Sequence, residues 1–124
     1  MSRPRLRITR NFAKNLDAIE TFLREVDAAS AFETLLDDLF SDLLPALETF
    51  PDLGADLFLH RLSCRETQAR AAALRVRMGS SASLRELIRG DYLLLYARRD
   101  QEIFLLAIKH FRQLSYDLPE FWTE

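Results

Sequence analysis

The chain has 124 residues and a mass of 14.4 kDa, the length of one domain. Hydrophobic residues make up 48 % and charged residues 29 %, the balance of an ordinary soluble globule with one core. The net charge is −2 and the pI is 5.7, which argues against indiscriminate nucleic-acid binding.

The longest apolar runs, 92–97 and 103–108, are far shorter than the roughly 20 residues that cross a bilayer. Residues 1–11 are basic with no apolar stretch behind them, so no secretory leader and no membrane association are expected. Cys64 is the single cysteine, which excludes an intrachain disulfide and a cysteine-based zinc site and makes the cytoplasm the expected compartment. His60 and His110 lie fifty residues apart with no Cys or His at ligand spacing. Neither a metal nor another cofactor is expected.

The charge is unevenly distributed. Residues 1–14 carry five bases and no acid; residues 17–56 carry eleven acids and one base, Arg24. The acidic stretch reads as the solvated side of helices.

Residues 3–9 alternate strictly, with Arg3, Arg5, Arg7 and Thr9 on one side and Leu6 and Ile8 on the other, which predicts a half-buried strand. The period then changes. Phe12, Leu16, Ile19, Leu23 and Val26 form the apolar stripe of a helix that either Thr9 or Asn11 caps. A second helix is expected from Ser30, where Ser30 and Glu33 have capping-box spacing. Its stripe runs from Phe32 to Leu47, and Pro45 is expected to kink or end it near Leu44. Residues 50–54 read as a loop. Residues 62–78 predict a third, peripheral helix, with Ser63 and Glu66 at its start and Gly79 behind it. Residues 84–89, 92–97 and 103–111 read as three strands joined by short turns at Gly90-Asp91 and 99–101; the last two are apolar enough to be central. The fold class is therefore α+β: a small twisted sheet with helices on one face, in the order β-α-α-α-β-β-β.

No glycine-rich phosphate loop, serine elbow or metal motif is present. The cationic end of the last strand, Lys109-His110-Phe111-Arg112, admits two readings. Either the strand simply reaches solvent there, or His110 and Arg112, on one face, meet a phosphate. The Arg3, Arg5, Arg7 ladder fits contact with phosphates or an acidic peptide, and equally well protection of an edge strand by charge. Tyr92 and Tyr96 share a strand face, as a base-stacking platform or as core residues. Cys64 has no base at a readable spacing, and the apolar tail 114–122 packs on the sheet or meets a partner.

Several segments together resemble the RelE/ParE superfamily of toxins from bacterial type II toxin–antitoxin modules, which include plasmid stabilisation proteins. They are Leu6-Arg7-Ile8 with Phe12-Ala13-Lys14-Asn15-Leu16, Phe50-Pro51-Asp52-Leu53-Gly54, Leu84-Arg85-Glu86-Leu87, Gly90-Asp91-Tyr92-Leu93-Leu94-Leu95-Tyr96, and Ile108-Lys109-His110-Phe111-Arg112. The resemblance implies one toxin domain over 1–124 with 60–78 as a helical insertion, and a small antiparallel sheet with helices on one side. RelE-like members cut messenger RNA on the ribosome; ParE-like members inhibit DNA gyrase. Both are neutralised by a cognate antitoxin whose tail wraps the toxin. Many nuclease members carry an arginine where this chain has Leu93, and leucine cannot stabilise developing phosphate charge.

The resemblance thus implies a ParE-like toxin that arrests growth by binding a protein such as gyrase. The alternatives are a ribosome-dependent endoribonuclease, with Lys109, His110 and Arg112 as catalytic residues, and an inactive member that only binds antitoxin. Antitoxin contacts are expected at Arg5, Arg7, Arg85 and Arg89, on the sheet face opposite the first two helices.

Overall fold

The computed structural model describes residues 4–56, 72–73, 76–79 and 82–110. The elements run β1 (Arg5–Ile8), α1 (Arg10–Glu25), α2 (Ser30–Asp38), a π-helical turn (Leu39–Leu43), α3 (Leu44–Thr49), β2 (Ala55–Asp56), β3 (Ser83–Arg89), β4 (Tyr92–Arg99) and β5 (Glu102–His110). The expected third helix, 62–78, falls largely outside the described residues; Ala72, Ala73 and 76–78 within it are helical. Cys64 and the tail 114–122 also lie outside them.

The strands form one five-stranded sheet in the order β1-β5-β4-β3-β2. β2 through β5 pair antiparallel, as expected. β1 instead joins β5 in parallel, with Leu6 opposite Ile103 and Ile8 opposite Leu105. The reason is topological: the helices and three strands separate β1 from β5 in the chain, so the two are joined by a long crossover rather than a hairpin. The two-residue edge strand β2 was not anticipated, because so short a strand carries no alternation to read. β4 and β5 are central, as their continuous hydrophobicity required.

Thr9 caps α1, its hydroxyl accepting from the Phe12 amide at 3.3 Å. Ser30 does not cap α2; the N-cap is Ala29, in helical geometry, without a side-chain bond. Ser30 is already inside the helix, and its carbonyl accepts from the Thr34 hydroxyl. The helical path does not stop at Pro45, but regular α-helical bonding is interrupted just before it, by the π turn at Leu39–Leu43. Pro45 sits in the first turn of α3, where a missing amide hydrogen costs little, directly after the π turn.

The main core lies between the helices and one sheet face. Phe12 and Ile19 from α1, Leu35, Leu39, Leu43 and Leu47 from the following helices, and Leu94, Tyr96, Ile103, Leu105 and Ile108 from the sheet form one buried cluster. The other sheet face is also covered: Leu84 and Ala97 are buried with Met78 against them, and so are Leu95 and Ala107. β5 carries one extra residue opposite Leu95/Tyr96. Beyond that bulge, Ile108 faces the helices.

Candidate functional site

Two places concentrate polar groups. The first joins the loop after α3 to the sheet. Tyr96 is fully buried, and its hydroxyl donates to the Pro51 carbonyl at 2.8 Å and accepts from the Gly54 amide at 2.8 Å. Burial is the main cause that pushes this phenol up from its ordinary value. Arg85 donates to the Gly54 carbonyl at 2.7 Å, and both Arg85 and Arg98 reach the Asp52 carboxylate, at 3.4 and 3.1 Å. Pro51, Asp52, Gly54, Arg85 and Tyr96 come from three of the segments that carry the family resemblance. Here they bind one another. Tyr96 therefore offers no free face for stacking a base.

The second place is where α2 meets the β3–β4 hairpin. Arg89 donates through Nε and Nη2 to Asp38, at 3.1 and 2.8 Å, and through Nη2 also to Asp42. These carboxylates raise the guanidinium's already high pKa. Gly90 opens the two-residue hairpin turn with φ +59°, a conformation that suits glycine. Arg85 and Arg89 thus share the helical face of the sheet with Leu87 of the main core. The expectation that they lie on the face opposite α1 and α2 is corrected: Asp38, Asp42 and Asp52, on the helical side, hold them there. Asp38, Asp42, Asp52 and Arg98 were not anticipated, because each lies far in sequence from the partner it holds.

Arg5 and Arg7 do face away from the helices, since the intervening Leu6 packs into the main core. Both are exposed on edge strand β1, and Arg7 pairs with Glu102. Arg3 and Arg112 lie outside the described residues.

At the end of β5 the side chains separate. Lys109 is buried, with 3 % exposure, on the face away from α1. His110 points to the helical side, where its ring lies 5.3 Å from Phe22 and 5.2 Å from Tyr92, the latter edge to face. Leu93 packs beside Leu95 and Ala107 on the Lys109 face. The structure therefore does not bring Lys109 and His110 together in one exposed cationic cluster. Among the described residues no group of acids, histidines and cysteines fits a metal ion, and no helix is long and apolar enough to cross a membrane.

Sequence reasoning missed Asn11 and Asn15, both buried in α1. Asn11 donates to the Leu106 carbonyl at 2.9 Å, and Asn15 accepts from the Ile108 amide at 3.0 Å. The available signal was two asparagines, poor helix formers, one turn apart beside an apolar stripe.

No family model and no curated protein matches this sequence. Among solved structures the chain is similar to one described as the chromosomal ParDE TA system from P. aeruginosa, with a TM-score of 0.52 and 19 % identity over 86 % of this chain and 95 % of that one. The chain has the fold of a ParDE toxin–antitoxin chain, as the RelE/ParE resemblance implied.

Proposed function

We propose that this protein is the toxin of a type II toxin–antitoxin pair, that it arrests growth by binding a protein target such as DNA gyrase, and that a cognate antitoxin neutralises it. The observation that carries this reading is the fold shared with the ParDE chain over most of both lengths. The non-catalytic choice is supported by Leu93 and by the separation of Lys109 from His110 across the sheet. A nuclease needs cations converging on one phosphate, and a leucine and a buried lysine do not supply them.

We assign antitoxin or target contacts to Arg5 and Arg7 on β1, and to Arg85 and Arg89 within the ion-paired clusters they form with Asp52 and with Asp38 and Asp42. A wrapping partner reaches both sheet faces. Reversing the charge at all four positions is expected to weaken the toxin–antitoxin complex; an unchanged complex would remove this assignment.

The decisive experiment is induced expression of the chain alone, beside a strain that co-expresses the neighbouring small gene. Growth arrest relieved by the neighbour, with supercoiling inhibited and messenger RNA intact, is the expected result. Arrest accompanied by RNA cleavage, lost in His110→Ala, would replace it with the endoribonuclease reading. Unimpaired growth with soluble protein present would leave only antitoxin binding.

A further inference from the structure

α2 and the β3–β4 hairpin do not close on each other. Between them is an open cleft of about 420 Å³. Its apolar lining is Ala31, Leu35 and Tyr92, and its charged lining is Asp38, Arg89 and Asp91. That volume lies within the range of clefts that bind ligands. Arg89 is already committed to Asp38 and Asp42. Asp91, exposed at the hairpin turn, makes no ion pair among the described residues. The cleft's charged lining is therefore two carboxylates, Asp38 and Asp91, against the one guanidinium of Arg89, so an incoming anion meets net negative charge and an incoming cation is attracted.

We propose that this cleft receives an arginine or lysine side chain from a basic segment of a partner protein, with its methylenes against Leu35 and the Tyr92 ring and its charge at Asp91. Long cationic side chains carry the needed combination, an apolar stem and a charged head. A guanidinium is also attracted to a tyrosine face. The wider surface agrees, since 17–56 holds eleven acids and one base. The Tyr92 phenol is pushed up from its ordinary value by burial and by Asp91, and its ring lines the cleft. The inference does not rest on growth arrest.

The test titrates the full-length, isotopically labelled chain at low salt with a capped Ala-Arg-Ala-Ala-Arg-Ala peptide and, separately, with its glutamate counterpart, following backbone amide shifts. Saturable shifts centred on Thr34, Gly90, Asp91 and Tyr92 are expected with the arginine peptide and not with the glutamate peptide. Asp91→Asn is expected to weaken binding about three- to fivefold, the worth of one partly exposed ion pair. Thr34→Arg puts the chain's own cation at the cleft and is expected to abolish saturation. Unchanged shifts along β5 verify that each variant is folded. The proposal is overturned by absence of saturation, by an equal response to the glutamate peptide, by shifts spread evenly over the acidic helices, or by unaltered affinity in both variants.

Discussion

The side-chain oxygen of Asn15 accepts a hydrogen bond from the backbone amide of Ile108 at 3.0 Å, with both groups buried. β1 ends at Ile8, opposite Leu105, so among the described residues β5 has no strand neighbour beyond that point on its β1 side. Side chains take the strand's place. The Thr9 hydroxyl donates to the Leu105 carbonyl at 2.7 Å, Asn11 to the Leu106 carbonyl at 2.9 Å, and Asn15 serves the Ile108 amide. Buried backbone groups must be paired, and here helix α1 pairs them. Asn15→Ala leaves the Ile108 amide without a partner and is expected to cost about 1–3 kcal/mol. Chemical denaturation reads the cost, and hydrogen exchange reads the lost protection of the Ile108 amide.

Tyr96 ties the loop at 51–54 to the sheet through two hydrogen bonds on one hydroxyl. Tyr96→Phe keeps the ring and orphans the Gly54 amide and the Pro51 carbonyl, so a loss of about 1–3 kcal/mol is expected. Its fingerprint in hydrogen exchange should be confined to the loop and β2.

Gly54 is required by space rather than by backbone angle. A Cβ there would lie 2.8 Å from the Glu86 carbonyl and 2.9 Å from the Tyr96 ring. Neither the strand backbone nor the buried ring can yield freely. Gly54→Ala is therefore expected to destabilise by about 1–3 kcal/mol, as overpacked sites do. A melting temperature equal to that of the parent would show that the loop relaxes instead.

The tyrosines set an alkaline limit. Tyr92 and Tyr96 are both raised above the ordinary tyrosine value of 10.0, chiefly by burial. Above pH 10 the unfolded chain loses these protons first, and the folded chain then binds more protons than the unfolded one. Stability is fully present below that pH and falls as pH rises toward the folded-state values. Denaturation midpoints compared between pH 8 and pH 11 should drop, and the drop should be smaller in Tyr96→Phe.

Arg89 holds two carboxylates, Asp38 and Asp42, yet its side chain is 40 % exposed. Arg89→Ala is expected to cost no more than about 1 kcal/mol, an amount that shrinks in 0.5 M salt. A large, salt-independent loss would show that the α2–hairpin junction depends on packing rather than on charge.

The amino-acid order by itself determined the strand–helix beginning, the two central strands and the hairpin at Gly90-Asp91. Each follows from a local period or a turn residue that acts within a few positions. It also determined that Leu93 cannot serve a phosphate. Only the tertiary structure decided the rest. Parallel pairing of β1 with β5 depends on where the helices and the β3–β4–β5 meander bring the chain back. The functions of Asp38, Asp52, Asn11 and Asn15 depend on partners 33 to 95 positions away, which no window of sequence contains. Most tellingly, Pro51, Asp52, Gly54, Arg85 and Tyr96 read in sequence as separate family signatures. Folding makes them a single hydrogen-bonded knot, because a buried hydroxyl, an orphan amide and two guanidiniums must each find a partner in the same place.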